Sequence, residues 1–199
     1  MKIVQFPSEV PKKGNGSWVA IGKWDGIHLG HQHLVEQIVR RARSNGGQSV
    51  VISFDRHPAA VLRPGTEPFQ LQSVTARSTL LASLGVDVHL VLPFTREFAD
   101  LSPEKFVEDI LITNIQTCDV TIGYNFRFGK ERVGTPEILE QLCAKHGIAV
   151  HVASPIVVEG EVVSSTLIRS YLQLGQVERA SRLLGRPDFL MGTGYKLSV

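Results

Sequence analysis

The chain has 199 residues, 43% of them hydrophobic and 20% charged, and a formal net charge of +2 at pH 7. That balance is that of an ordinary globular protein. It excludes a disordered chain and gives no general grip on nucleic acid. No apolar run approaches the roughly 18 residues a bilayer span needs, and the N-terminus carries no basic-then-apolar signal segment. Cys118 and Cys143 have no metal-binding spacing and read as free thiols, buried or half-buried, in a reducing compartment. The expectation is a cytoplasmic protein without membrane or nucleic-acid partners.

Predicted elements alternate. An apolar strand over 18–21 runs into a glycine-rich turn, and the turn opens a helix whose Leu34, Val35, Ile38, Val39 and Ala42 recur at helical spacing. Arg40, Arg41 and Arg43 sit at its end, and Ser44-Asn45-Gly46-Gly47 stops it. A β-branched strand over 48–54 follows, ending at Asp55-Arg56-His57-Pro58. A surface loop spans 63–68. A helix over 74–84 closes at Gly85, and a strand covers 86–92. Ser102-Pro103-Glu104 starts a helix with Phe106, Val107, Ile110 and Leu111 facing its core. A strand over 119–123, a helix from Thr135-Pro136-Glu137 to Lys145-His146-Gly147 and a strand over 148–152 follow. Two short helices, 165–174 and 177–184, are split by Gly175.

Strands separated by helices predict an α/β fold, a Rossmann-like doubly wound parallel sheet with a short C-terminal helical segment. Ligands in such folds bind beyond the carboxyl ends of the strands. The turn from Gly22 to His31 lies there. Gly22, Gly26 and Gly30 let the backbone approach a ligand closely, and His28 and His31, one helical turn apart, flank free N–H groups that suit an anionic phosphate. His33 lies off that face. The spacing fits neither the dinucleotide fingerprint nor the phosphate loop ending in Lys-Ser/Thr.

Asp25-Gly26-Ile27-His28-Leu29-Gly30-His31-Gln32 resembles the His-x-Gly-His signature of the nucleotidyltransferase superfamily, in the version found in bacterial FAD synthetases. These are the FMN adenylyltransferase modules of the bifunctional riboflavin kinase/FMN adenylyltransferases. Ser164-Ser165-Thr166-Leu167-Ile168-Arg169 resembles the family's second signature. Gly123-Tyr124-Asn125-Phe126-Arg127-Phe128-Gly129 resembles its Gly-x-Asp/Asn-Phe-x-Phe-Gly segment, and Phe54-Asp55-Arg56-His57-Pro58 its Phe-Asp-x-His-Pro turn. The likeness covers roughly residues 17–187. It implies a nucleotidyltransferase domain over 1–185 and a tail over 186–199 that resembles the start of a linker to an absent riboflavin kinase domain.

The resemblance implies transfer of AMP from ATP to FMN, giving FAD and pyrophosphate. His28, His31 and Arg169 take the catalytic roles. Gly22, Lys23, Asp25, Gly26, Gly30, Ser164, Ser165 and Thr166 take the ATP phosphates. His57, Pro58, Asn125, Arg127 and Phe128 take FMN, with Phe94 and Phe98 as further flavin neighbours and Phe126 as core. Mg²⁺ is expected to be held mainly by substrate phosphates rather than by a dedicated protein site. A riboflavin kinase domain or protein would supply the FMN. Trp24 stands where the family usually has phenylalanine, Lys23 where asparagine or a small residue is common, and Ala76-Arg77 where a Glu-Lys pair is common. Two other readings stay open at this point: a nucleotidyltransferase with another small acceptor, and a paralogue that binds flavin nucleotides without turnover.

Overall fold

The computed structural model describes residues 1–186. Six strands form one sheet, paired in parallel throughout: β1 (Lys2–Val4), β2 (Ser17–Ile21), β3 (Gln48–Phe54), β4 (Val88–Leu92), β5 (Thr117–Gly123) and β6 (Ala149–Ala153). Their order across the sheet is β1-β4-β3-β2-β5-β6. The connections run outward one way from β2 through β3 to β4 and the other way from β5 to β6. The topological switch therefore falls between β2 and β5, where doubly wound sheets bind ligands.

The period of the strands explains the layering. In β2, Val19 and Ile21 enter the core on one face, with Val50, Ile52, Leu90, Val120 and Ile122. Trp18 and Ala20 enter a second core on the other face. Side chains two apart share a face, so a strand covered on both sides reads as an unbroken apolar run. The second face is filled by α1 (Leu29–Ser44) through Leu34, Val35, Ile38, Val39 and Ala42, and by Leu81 of α3 (Val74–Ser83). On the first face lies a helix that starts as α5 (Pro103–Lys105), continues with π-helical geometry over Phe106–Asn114, and is flanked by α6 (Pro136–Ala144). Side-chain caps set the helix starts: Ser73 for α3, Ser102 for α5 and Thr135 for α6 each accept a first-turn N–H.

A third, smaller core joins Leu71, Val163, Ile168, Tyr171, Ala180, Leu183 and Leu184. It holds α7 (Ser165–Gln173) against α8 (Val177–Leu184). Here Gln32 matters: its amide donates to both Ile27 O and Leu184 O at 2.8 Å, tying the start of α1 to the end of α8.

The helices and strands expected from sequence are present, with shifts at their ends. The strand expected over 86–92 starts at Val88, and that over 119–123 starts at Thr117. Short elements are additional: β1 at the sheet edge, α2 (Pro58–Leu62), α4 (Arg96–Ala99) and the two strands of an antiparallel hairpin, β7 (Val157–Val158) and β8 (Glu161–Val162). Each is too short to show a period. Both cysteines are free thiols; Cys143 is buried, but Cys118 is exposed rather than half-buried, because the β5 position it occupies faces outward. The expected linker-like tail lies outside the described residues from Pro187 onward. No helix among the described residues is long and apolar enough to cross a membrane.

Candidate active site

The loop after β2 is held in a conformation that side chains seldom adopt. Trp24 and Ile27 have φ of 55° and 41°, and Gly26 has 91°. A Cβ on Gly26 would sit 2.8 Å from Leu71 Cδ1, so only glycine fits that contact and that φ. The strain at Trp24 is over-determined by its surroundings. Its indole is wholly buried, its Nε1 donates to Ile52 O at 2.7 Å, and its carbonyl accepts from Gln72 Nε2 at 3.1 Å.

Asp25 joins the two signature motifs. Its carboxylate accepts from Leu71 N at 3.0 Å and Gln72 N at 3.3 Å, and it forms a buried ion pair with Arg169. Its backbone carbonyl accepts from Ser165 Oγ at 2.7 Å. Arg169 also donates from Nε to Phe69 O at 2.8 Å, with its guanidinium 5.9 Å from the Phe69 ring. Asp25 thus ties the loop after β2 to Leu71, Gln72 and α7. Arg169 is committed to Asp25 rather than presented free to a triphosphate. Ser164 caps α7, accepting from Leu167 N at 3.2 Å, and Thr166 is exposed beside it.

His28 is the N-cap of α1. Its Nδ1 accepts from His31 N at 3.3 Å, which places the ring proton on Nε2. The two rings stack with centroids 3.6 Å apart, and Trp24 braces His31 at 5.1 Å. Burial pushes the His28 imidazole down to about 4, with Arg186 adding repulsion. Burial also holds His31 well below the usual histidine value, with His28, Arg77 and Lys23 as further repelling charges. Both imidazoles are therefore neutral near pH 7 and act as hydrogen-bond donors rather than cations. His31 Nδ1 is buried without a hydrogen-bond partner. His33 stands apart, exposed and paired with Gln37.

Beside the histidines lies a cleft lined by Lys23, Asp25, Phe54, Arg56, His57, Pro58, Gln70 and Arg77. His57 caps α2, with Nδ1 accepting from Ala59 N at 3.1 Å. Its imidazole is lowered to about 4, first by desolvation and then by Lys23 and Arg169. Desolvation lowers the Lys23 ammonium too, ahead of repulsion from Arg132 and Arg169. The cleft is thus crowded with cationic groups, while its carboxylates are engaged elsewhere. Phe54, Arg56, Gln70 and Arg77 are lining residues beyond the expected site residues. Arg77 was visible in sequence only as a departure from the family's Glu-Lys pair.

The Gly123–Gly129 loop behaves differently from expectation. Phe128 is buried in the first core, 5.5 Å from Phe106 and stacked on Phe126 at 5.5 Å, with its backbone bridged to Gly134. In this structure it packs the first core. Phe126 is partly buried against the same core, as expected. Asn125 and Arg127 are exposed, Arg127 donates to Phe126 O at 2.8 Å, and neither lines the cleft. Phe94 and Phe98 stand behind Phe54, at 5.2 and 5.6 Å, and shape the cleft wall from beneath.

A family model described as FAD synthetase matches residues 10–167. The chain belongs to the FAD synthetase family. It is 32% identical over 183 residues to a FAD synthetase of Listeria monocytogenes, covering 91% of this chain and 73% of that protein. It is 32% identical over 193 residues to a bifunctional riboflavin kinase/FMN adenylyltransferase of Buchnera aphidicola, covering 96% of this chain and 62% of that protein. The chain spans about three-fifths of the length of the bifunctional relatives it matches. Among solved structures, a Streptococcus pneumoniae protein described as a macrolide-efflux protein superposes with a TM-score of 0.79 at 27% identity, covering 93% of this chain and 60% of that one. Thermotoga maritima TmcAL, solved with alpha-thio ATP, shares the fold with a TM-score of 0.53 at 15% identity, covering 96% and 55%. The FAD synthetase match takes in the histidine loop, the cleft, the Gly123–Gly129 loop and the start of α7 up to Leu167.

Proposed function

We propose that this chain transfers AMP from ATP to FMN. An oxygen of the FMN phosphate attacks the ATP α-phosphorus in line. The bond from that phosphorus to the oxygen bridging to the β-phosphate breaks, giving FAD and pyrophosphate. The stacked His28–His31 pair at the mouth of α1, inside a FAD synthetase fold, carries this reading. The attacking phosphate is already nucleophilic, so the protein's work is alignment and stabilisation of charge on the transferring and leaving groups. Two neutral imidazole donors, the first-turn N–H groups of α1 and the Lys23 ammonium supply that stabilisation. Gly22, Gly26 and Gly30 keep the loop backbone close to the phosphates. Ser164, Ser165 and Thr166 at the start of α7 take the outer phosphates, with Arg169 holding that helix to the histidine loop through Asp25.

His57 and Pro58 form the acceptor wall, and Asn125 and Arg127 take part only at the acceptor's exposed edge. The family match favours a flavin acceptor over another small molecule, and the intact histidine pair favours turnover over binding alone. No cluster of three carboxylate, imidazole or thiol groups able to hold a metal exists among the described residues, and Asp25 is saturated by its three partners. Mg²⁺ bound through the phosphates of ATP would help neutralise the charge of the leaving pyrophosphate. FMN would come from a riboflavin kinase, and the setting is the cytoplasm, where free thiols such as Cys118 persist. Incubation of purified chain with ATP, Mg²⁺ and FMN, with flavins separated afterwards, tests the proposal. FAD and pyrophosphate in equal amounts are expected. No FAD across a range of divalent ions and flavin redox states would overturn it.

A further inference from the structure

Arg77 is a buried cation that forms no ion pair with a carboxylate among the described residues; Asp25, whose charge favours the guanidinium from a distance, is bound to Arg169 instead. Arg77 is 4% exposed, yet it lines the cleft with Lys23, His57 and Gln70. Its Nη1 donates to Phe54 O at 2.9 Å, and its Nε is buried without a hydrogen-bond partner. The carboxylates that could neutralise it are taken. Asp25 serves Arg169, Leu71 N and Gln72 N; Asp55 serves Arg56 and Phe94 N. Beneath it His89 is held neutral, at about 4 by desolvation, between Ser53 and Ser78 at 2.7 and 2.9 Å. An unpaired guanidinium under a cleft lowers stability unless an anion arrives to meet it. The bond to Phe54 O fixes the planar fork and leaves its other N–H groups for a ligand.

Position selects the anion. Arg77 is anchored on β3, one residue before the Asp55–Pro58 turn, and is close enough to His31 to depress its basicity. The Ser164–Thr166 segment that receives the outer ATP phosphates is instead attached through Asp25. From this geometry we infer that Arg77 is a ligand of the acceptor's phosphomonoester, gripping it from the cleft floor beside His31. This deepens the adenylyl-transfer reading and rests on it.

The test compares wild type, Arg77→Lys and Arg77→Met by fluorescence titration with FMN, with riboflavin (the same ring without phosphate) and with a non-hydrolysable ATP analogue. Thermal midpoints are measured without ligand. FAD formation by wild type is scored separately, so failure of the reading is distinguishable from failure of the inference. Arg77→Met is expected to weaken FMN binding roughly tenfold to a hundredfold, the weight of a charge-assisted hydrogen bond. Riboflavin and ATP-analogue binding should hold within about twofold, and the unliganded midpoint should be unchanged or higher. Arg77→Lys should recover part of the FMN affinity. The assignment is overturned if FMN and riboflavin weaken together, if only the ATP analogue weakens, or if FMN affinity is normal in both variants.

Discussion

Asp25 and Arg169, 144 positions apart, form a buried ion pair that makes one structure of the two signature motifs. Removing one member of such a pair leaves a buried charge uncompensated, which costs on the order of 3–5 kcal/mol. Arg169→Met and Asp25→Asn are each expected to lower the urea midpoint strongly. The double variant should recover part of the loss. Additive losses in a double-mutant cycle would show that the pair is not coupled. Loss of ATP use in Arg169 variants is then expected to track displacement of α7 and the loss of stability.

His31→Ala is expected to lower kcat about 10²–10³-fold with a smaller change in KM for FMN, because its donor acts on developing charge. His28→Ala should lower kcat similarly and also destabilise the chain by about 1 kcal/mol, since His28 caps α1. Steady-state kinetics paired with thermal melts separate the two. Equal melting of both variants would deny the capping role.

Phe128→Ala is expected to cost about 3–5 kcal/mol through the cavity it leaves beside Phe106 and Phe126. FMN affinity of the folded fraction should hold within about twofold. A tenfold loss of FMN affinity without loss of stability would return Phe128 to the flavin pocket.

Acid should weaken the fold before any carboxylate titrates. His28 and His89 are lowered to about 4 by burial, against roughly 6.5 in the unfolded chain. Between those values the unfolded chain binds the extra protons, so stability is full above about pH 6.5 and falls as pH drops toward 4. The two together remove on the order of 2–4 kcal/mol between pH 7 and pH 5, a fall in Tm of several degrees. Asp55, lowered despite the opposing desolvation by its bonds to Phe94 N and Arg56, adds its loss only below its ordinary value of 3.8. A Tm flat from pH 7 to pH 5 would contradict the neutral imidazoles.

The layered sheet was legible because its strands and helices are long enough to show a period, and helix starts such as Ser102 and Thr135 announce themselves. The histidine loop and α7 were legible as motifs. Their connection through Asp25 was not, because a carboxylate near a phosphate motif reads equally as ligand or as clamp until its partners are seen. Phe126 and Phe128 lie two apart and both pack against the first core, and Phe128 is held there by Phe106 and by its bridge to Gly134, contacts that the short motif does not display. Arg77 sits on a helix whose weak amphipathic pattern hides that its polar side chain points inward under β3.

Because all six strands run the same way, every loop that touches the cleft leaves the sheet on one rim. On the proposed reading, donor groups come from the segments after β2 and before α7, and acceptor groups from the segment after β3. The fully buried Trp24 sits between Gly22, His31 and Ile52 O and answers to all of them. A substitution at Trp24 therefore disturbs Gly22, His31 and the Ile52 carbonyl together, whereas a change at Lys23 acts through the cleft it lines.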